Sequence, residues 1–444
     1  MRLKKMTNVQ IITIGFLLLA LIGACLLSLP IASRDRTWTP FLPSLFTSVS
    51  ASCVTGLIVV DTATHWSLFG QIVIITLIQI GGLGFITIAT AFLSFMRKGL
   101  GLKSRALMAE SVNTGRIAGL RGYVRYIVKG AILIESAGTV LLAIPFIREF
   151  GVWKGIYYGV FHSISAFCNA GFDLMGVKEP FSSLVSYCDR AYINIVFILL
   201  ITVGGIGFQV WEDVRKYRWR LKRYSLHSKL VLVVSAVLTF GGAFAYYVFE
   251  RNALFADVGV GEALLSALFQ SVTCRTAGFN TVDLSKLSDP SALLSCFLMF
   301  IGGSPGSTAG GIKTTTLAIM FIYLVSSLRS SAGEPQLFGR SLDPAGLRKA
   351  SGVVCFNFSL VMIASFVISA YGLPLTQVLF EAFSAMGTVG MSMGITRELP
   401  NIGLVLIMLL MFCGRVGSVT LASALLEKRV RPKVQYPKED INIG

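Results

Sequence analysis

Cys53-Val54-Thr55-Gly56-Leu57, Cys168-Asn169-Ala170-Gly171-Phe172, Arg275-Thr276-Ala277-Gly278-Phe279 and Gly387-Thr388-Val389-Gly390-Met391 are four versions of one short segment. Each follows an apolar residue and a phenylalanine (Leu45-Phe46, Val160-Phe161, Leu268-Phe269, Leu379-Phe380) and a stretch with small polar residues. The four glycines lie 115, 107 and 112 residues apart. A period of that kind marks one supersecondary unit used repeatedly. A second element recurs as well, Ile80-Gly81-Gly82-Leu83-Gly84-Phe85 against Val203-Gly204-Gly205-Ile206-Gly207-Phe208. The expected units are residues 1–98, 99–214, 215–328 and 329–444, the last with a short polar tail.

The surroundings of these segments are apolar. The 444-residue chain is 54% hydrophobic and 14% charged with a mean hydropathy of +0.73, whereas a soluble domain carries about 25% charged residues. Eight stretches are long enough to cross a hydrocarbon core, which needs about 20 apolar residues as helix. They fall near 9–29, 69–96, 124–147, 191–210, 229–249, 291–324, 350–370 and 402–426. With both ends cytoplasmic, the inner segments hold 27 of the 39 Lys+Arg against 8 of the 22 Asp+Glu. The outer segments hold 9 basic and 12 acidic residues. This is a strong positive-inside pattern with an even number of spans. Trp38, Trp66 and Trp153 then fall at the outer interface and Trp211 and Trp219 at the inner one. The first span begins after Arg2, Lys4 and Lys5, but its apolar run is longer than a signal-peptide core and stays as a helix.

One apolar segment rich in Ser, Thr and Gly sits between each pair of spans, too short and broken to span by itself. Non-helical backbone at membrane depth is tolerated only where it is buried in protein or lines a water-filled cavity. Four such strands around a pseudo-fourfold axis form a ring of carbonyl oxygens able to replace an ion's hydration shell. Glycine takes positive φ readily and so lets successive carbonyls face the axis. The C-terminal end of a preceding half-helix favours cations. The expected fold is therefore an all-α polytopic membrane protein of four span, re-entrant loop, span units. Val54, Thr55, Gly56, Asn169, Ala170, Gly171, Thr276, Ala277, Gly278, Thr388, Val389 and Gly390 form the expected ion-binding strands. Gly81, Gly82, Gly84, Gly204, Gly205 and Gly207, on the second spans, are better explained by close helix packing.

Other chemistries find no support. His65, His162 and His227 share no metal-ligand spacing, and the eight cysteines include no C-x-x-C pair. No residue reads as an enzymatic nucleophile or base, and no cofactor is implied. The sixth span is broken by Gly302-Gly303-Ser304-Pro305-Gly306-Ser307-Thr308-Ala309-Gly310-Gly311, which cannot hold a regular helix. It is not a phosphate loop, because Ile312 separates Gly311 from Lys313 and no strand precedes it. Lys313 and Arg415 are basic residues inside spans, each costing about 2.5–3.5 kcal/mol on insertion scales. Glu135 and Glu381 lie at comparable depth, so two buried salt bridges are one expectation. The basic and aromatic run 215–223 suits anionic lipid or a cytosolic partner, not nucleic acid.

The sequence resembles the Trk/Ktr/HKT superfamily of potassium transporters over essentially its whole length, and most closely the bacterial KtrB-type membrane subunits. The resemblance is carried by the four strands, by Ala277-Gly278-Phe279-Asn280 after Arg275, by the 302–313 segment and by Gly414-Arg415-Val416-Gly417. It implies potassium uptake across the plasma membrane, with sodium as a candidate coupling ion on which uptake would depend. In that family glycine in all four strands goes with potassium preference and serine in the first with sodium permeation; here the first is Gly56. It also implies that Gly302, Gly303, Ser304, Gly306, Ser307, Thr308, Gly310, Gly311 and Lys313 form an intramembrane gate. Arg415 would then be a pore-lining charge, a cytosolic ring of RCK-type nucleotide-binding subunits a partner, and the tail 430–444 part of a homodimer contact. Cys53 and Cys168, three residues before their glycines, depart from the pattern, since a thiol is a poor ligand for a hard alkali cation. The rival class is an alternating-access transporter for a small solute, which also uses broken helices at the midplane. Such folds usually show inverted repeats, whereas these four units share one orientation.

Overall fold

The computed structural model describes residues 8–84, 120–329, 336–337, 340–341 and 344–417. The end of the second expected span, the basic segment 97–119, the end of the eighth span and the tail 430–444 lie outside the described residues. Among the described residues, four long helices have the length and apolarity to cross a membrane: α1 (Asn8–Ser28), α4 (Leu120–Phe150), α8 (Leu226–Glu250) and α12 (Pro344–Ser369). Each packs on the short helix that follows it: α2 (Phe41–Ser52), α5 (Val152–Phe167), α9 (Val260–Thr273) and α13 (Leu375–Gly387). The remaining helices are α3 (Leu68–Leu83), α6 (Ala191–Gly205), α7 (Phe208–Tyr217), α10 (Asp289–Phe300), α11 (Thr314–Leu328) and α14 (Asn401–Val416). A two-stranded ribbon pairs β1 (Gln336–Leu337) with β2 (Arg340–Ser341).

The exposed faces of the long helices are apolar, unlike the surface of a soluble fold. Leu133, Phe244 and Phe366, on the long helices, are 72%, 71% and 71% exposed. Hydroxyl residues on the short helices are buried with the apolar core: Ser48, Ser50, Ser163, Ser165, Ser271, Thr273 and Ser384. Apolar side chains meet lipid tails without cost, while buried hydroxyls need partners. Three units satisfy one of them in the same way. Ser48, Ser163 and Ser271 donate to the carbonyls of Ala20, Glu135 and Thr239 at 2.6, 2.7 and 2.8 Å. Facing them on the long helices are Gly23, Gly138 and Gly242, where an added Cβ would sit under 3.0 Å from the serine Oγ. A small residue on the long helix thus lets each short helix approach closely.

Two spans differ from straight rods. The sixth resolves into α10 and α11 with a non-helical 301–313 between them, as its composition predicts. The fourth, expected as continuous over 191–210, breaks at Ile206-Gly207 into α6 and α7, bent by 96°. Gly207 has φ +100°, outside helical space, and α7 runs off with Arg215 and Lys216 in its last turn. Asp213 on α7 accepts from the Ser225 backbone at 3.0 Å and hydroxyl at 2.7 Å, tying it to the start of α8.

Candidate functional site

The short helices α2, α5, α9 and α13 end immediately before the four glycine strands. The strands share an unusual backbone. Gly56, Gly171, Gly278 and Gly390 have φ of +99°, +69°, +83° and +96°. Two residues earlier, Val54, Asn169, Thr276 and Thr388 also have positive φ, at 57°, 58°, 77° and 51°. For non-glycine residues this region is rare and costs about 1 kcal/mol or more, so its recurrence at equivalent positions marks a conformation imposed by the surroundings.

The strands form a closed ring. A Cβ built on Gly56 would strike the carbonyl oxygen of Ala170, and one on Gly171 that of Ala277. One on Gly278 would strike that of Val389, and one on Gly390 that of Thr55, returning to the first strand. All four approaches are under 3.0 Å. Each glycine therefore faces the carbonyl just before the next glycine around the ring. Asn169 and Thr276 pair through their side chains at 3.2 Å, joining the second and third strands below it.

Four hydroxyls that composition did not single out hold the strands. Ser50 and Ser384 accept from the Gly56 and Gly390 amides at 3.0 and 3.1 Å. Ser165 and Thr273 instead donate to the carbonyls of Phe172 and Phe279, both at 2.6 Å. They stand six residues before the glycine in three strands and five in the third. Within the strands, the hydroxyls of Thr55 and Thr388 are buried and have no partner among the described residues. Cys53 and Cys168 are buried C-caps of α2 and α5. The Cys168 thiol lies 3.6 Å from the Gln79 side-chain oxygen on α3.

On one side the ring opens into a cavity of about 270 Å³, lined by all four glycines with Asp173, Ser183, Asn280 and Asp283. The Asp173 carboxylate accepts from the Met175 amide at 2.8 Å. Burial pushes its pKa up to about 7 against the pull of that amide, with Asp61 adding to the rise and Ser183 opposing it. Asp283 is held below the usual carboxylate range, chiefly by the Ser285 hydroxyl. On the other side lies the 301–313 segment. Residues Gly302, Gly303, Ser304, Thr308, Ala309 and Gly310 are buried. Ile301 and Ile312 bridge its two ends. Ser304 and Thr308 donate backbone N–H to Gly205 and Gly204 carbonyls at 3.1 and 3.3 Å, and Phe208 donates to Gly306 at 2.7 Å. Ser307 donates to the Ser304 carbonyl at 2.7 Å, and Gly311 to the Gly414 carbonyl at 3.2 Å. A Cβ on Gly310 would strike the Thr388 hydroxyl. The segment therefore packs directly beneath the fourth strand.

The buried charges correct one expectation. Neither Lys313 nor Arg415 pairs with Glu135 or Glu381 among the described residues. Lys313 donates to the carbonyls of Ala309 and Gly310 at 2.9 and 3.2 Å. Arg415 donates to the Thr308 carbonyl and to those of Gly81 and Gly82, the latter two at 2.5 and 2.9 Å. Glu135 accepts from the Gln79 amide at 2.9 and 3.1 Å, and Glu381 from the Thr396 hydroxyl at 2.5 Å. The broken spans supply unpaired carbonyls at that depth, which serve the cations in place of carboxylates. Among the second-span glycines, Gly81 and Gly204 do serve close packing: an added Cβ would sit under 3.0 Å from the carbonyl oxygens of Ser52 and Phe167. Gly84 and Gly207 instead terminate α3 and precede α7 with φ of +86° and +100°, a capping role that differs from the packing expected of them.

Comparison with known proteins agrees with this architecture. The family model described as TrkH, cation transport protein, matches residues 2–431. The potassium/sodium uptake protein NtpJ of Enterococcus hirae is 41% identical, over 99% of this chain and 98% of its own length. The Ktr system potassium uptake protein B of Bacillus subtilis is 37% identical over 99% and 97%. The crystal structure of the potassium transporter TrkH from Vibrio parahaemolyticus superposes with a TM-score of 0.74 at 19% identity, covering 96% of this chain and 86% of that one. With a ring of four glycine strands at its centre and this likeness along its length, the chain belongs to the TrkH family of cation transport proteins.

Proposed function

We propose that this protein is the ion-translocating subunit of a potassium uptake system. The closed ring of four glycine strands carries the reading. Positive φ at each glycine and at the residue two before it turns successive peptide planes, so that carbonyls of one strand face a common axis. Those carbonyls, with the unpartnered hydroxyls of Thr55 and Thr388, supply oxygens to a dehydrated alkali cation. Helices α2, α5, α9 and α13 point their C-terminal ends toward the strands, adding negative potential. The names of the relatives, potassium/sodium uptake protein and potassium uptake protein, agree with potassium as substrate and with sodium as a second ion.

The four segments act as one selectivity filter, with Val54, Thr55, Gly56, Asn169, Ala170, Gly171, Thr276, Ala277, Gly278, Thr388, Val389 and Gly390 as its residues, each contributed by one span, re-entrant helix, span unit. The 301–313 segment is the gate, and Arg415 clamps it through the Thr308 carbonyl. The thiols of Cys53 and Cys168 take no part in ion binding; contact of Cys168 with Gln79 supports this. The protein sits in the plasma membrane with both ends cytoplasmic. A cytosolic nucleotide-binding ring docks on the inner face, where Trp219 is 95% exposed beside a cleft of about 480 Å³ lined by Lys222, Arg223 and Lys229. A second copy pairs with this one as a homodimer.

The experiment is potassium uptake in cells lacking their own uptake systems, comparing the parent with Gly56→Ser. Rescue by the parent together with sodium entry through the variant supports the filter. Absence of rescue with a cognate cytosolic ring supplied refutes it.

A further inference from the structure

The outer side carries a second cavity that the ion path does not use. It measures about 950 Å³ and lies between the start of α3 and the start of α5, with Ser33, Arg34, Arg36, Trp66, Lys154 and Tyr158 among its lining residues. One wall is built rigidly. Ser33 and Trp66 bridge antiparallel, the Arg34 backbone N–H donates to the His65 carbonyl at 2.9 Å, and the Ser67 backbone N–H to that of Ala32 at 2.8 Å. The Ser67 hydroxyl donates to the Ile31 carbonyl at 2.6 Å. Across the cleft, the Tyr157 hydroxyl donates to the Gln71 side chain at 2.9 Å, fixing α5 against α3.

Two features ask for a ligand. Ser33 and Trp66 are each 1% exposed, yet the Ser33 hydroxyl and the Trp66 indole N–H have no partner among the described residues. Arg34, Arg36 and Lys154 form no salt bridge among the described residues, with Asp35 the one acid between the two arginines. Three of the few outer basic residues therefore converge on one cleft, against the positive-inside trend. Its rim is apolar, with Ile31 and Leu68 61% and 59% exposed. The nearby Trp38 and Trp153 mark the headgroup level of the bilayer.

We propose that this cleft binds the headgroup of an anionic phospholipid of the outer leaflet, phosphatidylglycerol being the chemistry it fits. The phosphodiester meets the cations and the orphaned donors, the glycerol lies over Tyr158, and the acyl chains leave past Ile31 and Leu68. A soluble anion would match the charges but leave the apolar rim uncovered. Placement in the outer leaflet rests on the orientation proposed above; the binding itself does not.

The test uses the full chain in nanodiscs of equal phosphatidylglycerol and phosphatidylcholine, released into native mass spectrometry. The parent should retain one more phosphatidylglycerol than an Arg34→Ala/Arg36→Ala/Lys154→Ala variant. Each single substitution should lower the preference about fivefold, the worth of one cation near an anionic surface. Trp66→Phe should weaken phosphatidylglycerol retention and leave phosphatidylcholine unchanged. Equal retention by parent and triple variant, or phosphatidylcholine held as well as phosphatidylglycerol, overturns the site. Potassium flux measured on the same samples reports separately on the pore. Photoreactive phosphatidylglycerol supplied only to the outside of right-side-out vesicles should crosslink near Lys154; label found only from the inside would overturn the orientation and keep the site.

Discussion

A hydroxymethyl group at position 56 has nowhere to go except into the Ala170 carbonyl, because the Gly56 φ of +99° aims its missing side chain at the next strand. Gly56→Ser should therefore move a carbonyl as well as strain its own backbone. Ion replacement flux should show potassium over sodium preference falling about tenfold, equal to about 1.4 kcal/mol. Ser50→Ala is a milder probe of the same strand. It leaves the Gly56 amide without its 3.0 Å partner, a loss of about 1–3 kcal/mol for a buried donor, and should lower thermal stability with a smaller selectivity change than Gly56→Ser. The glycines were legible in the sequence because their spacing repeats. The clamping hydroxyls were not, because Ser50 differs from its neighbours Ser48 and Ser52 only in what it touches, and the third unit places Thr273 one residue nearer its glycine.

Among the elements, the 301–313 segment was readable from five glycines and a proline, whereas the bend at Gly207 was not. A glycine that packs and one that takes positive φ look alike until the chain direction is known. The salt bridges expected between acids and bases failed for a related reason. Hydropathy reveals depth, but broken helices create carbonyl acceptors that composition does not count. Arg415 spans three such acceptors, on the 301–313 segment and at the end of α3. Arg415→Ala should free the segment and raise potassium flux several-fold in proteoliposomes lacking a cytosolic partner, with expression unchanged; unaltered flux from an unstable protein would assign the arginine to structure alone. Gly310→Ala tests the opposite face. Its new methyl meets the Thr388 hydroxyl, so the segment cannot seat beneath the strand, and flux should again rise. Adding Thr388→Ala should bring it part of the way back.

For the molecule as a whole, charge sorting predicts sidedness. A membrane-impermeant maleimide should label Arg36→Cys in intact cells and label Arg223→Cys only after permeabilisation, both positions being exposed. The reverse result would invert the topology. The ring has a further property. Its contacts run in one sense, from Gly56 to the second strand, onward to the third and fourth, and back through Gly390 to Thr55. The last unit leans on the first just as the first leans on the second, and Arg415 reaches Gly81 across that same seam. In the ring, then, no unit holds a terminal place. A gene rearranged to open between any two units, with the old ends joined by a linker, keeps every contact of the circle and should still conduct, while one missing any single unit loses two of the four contacts and leaves the circle open.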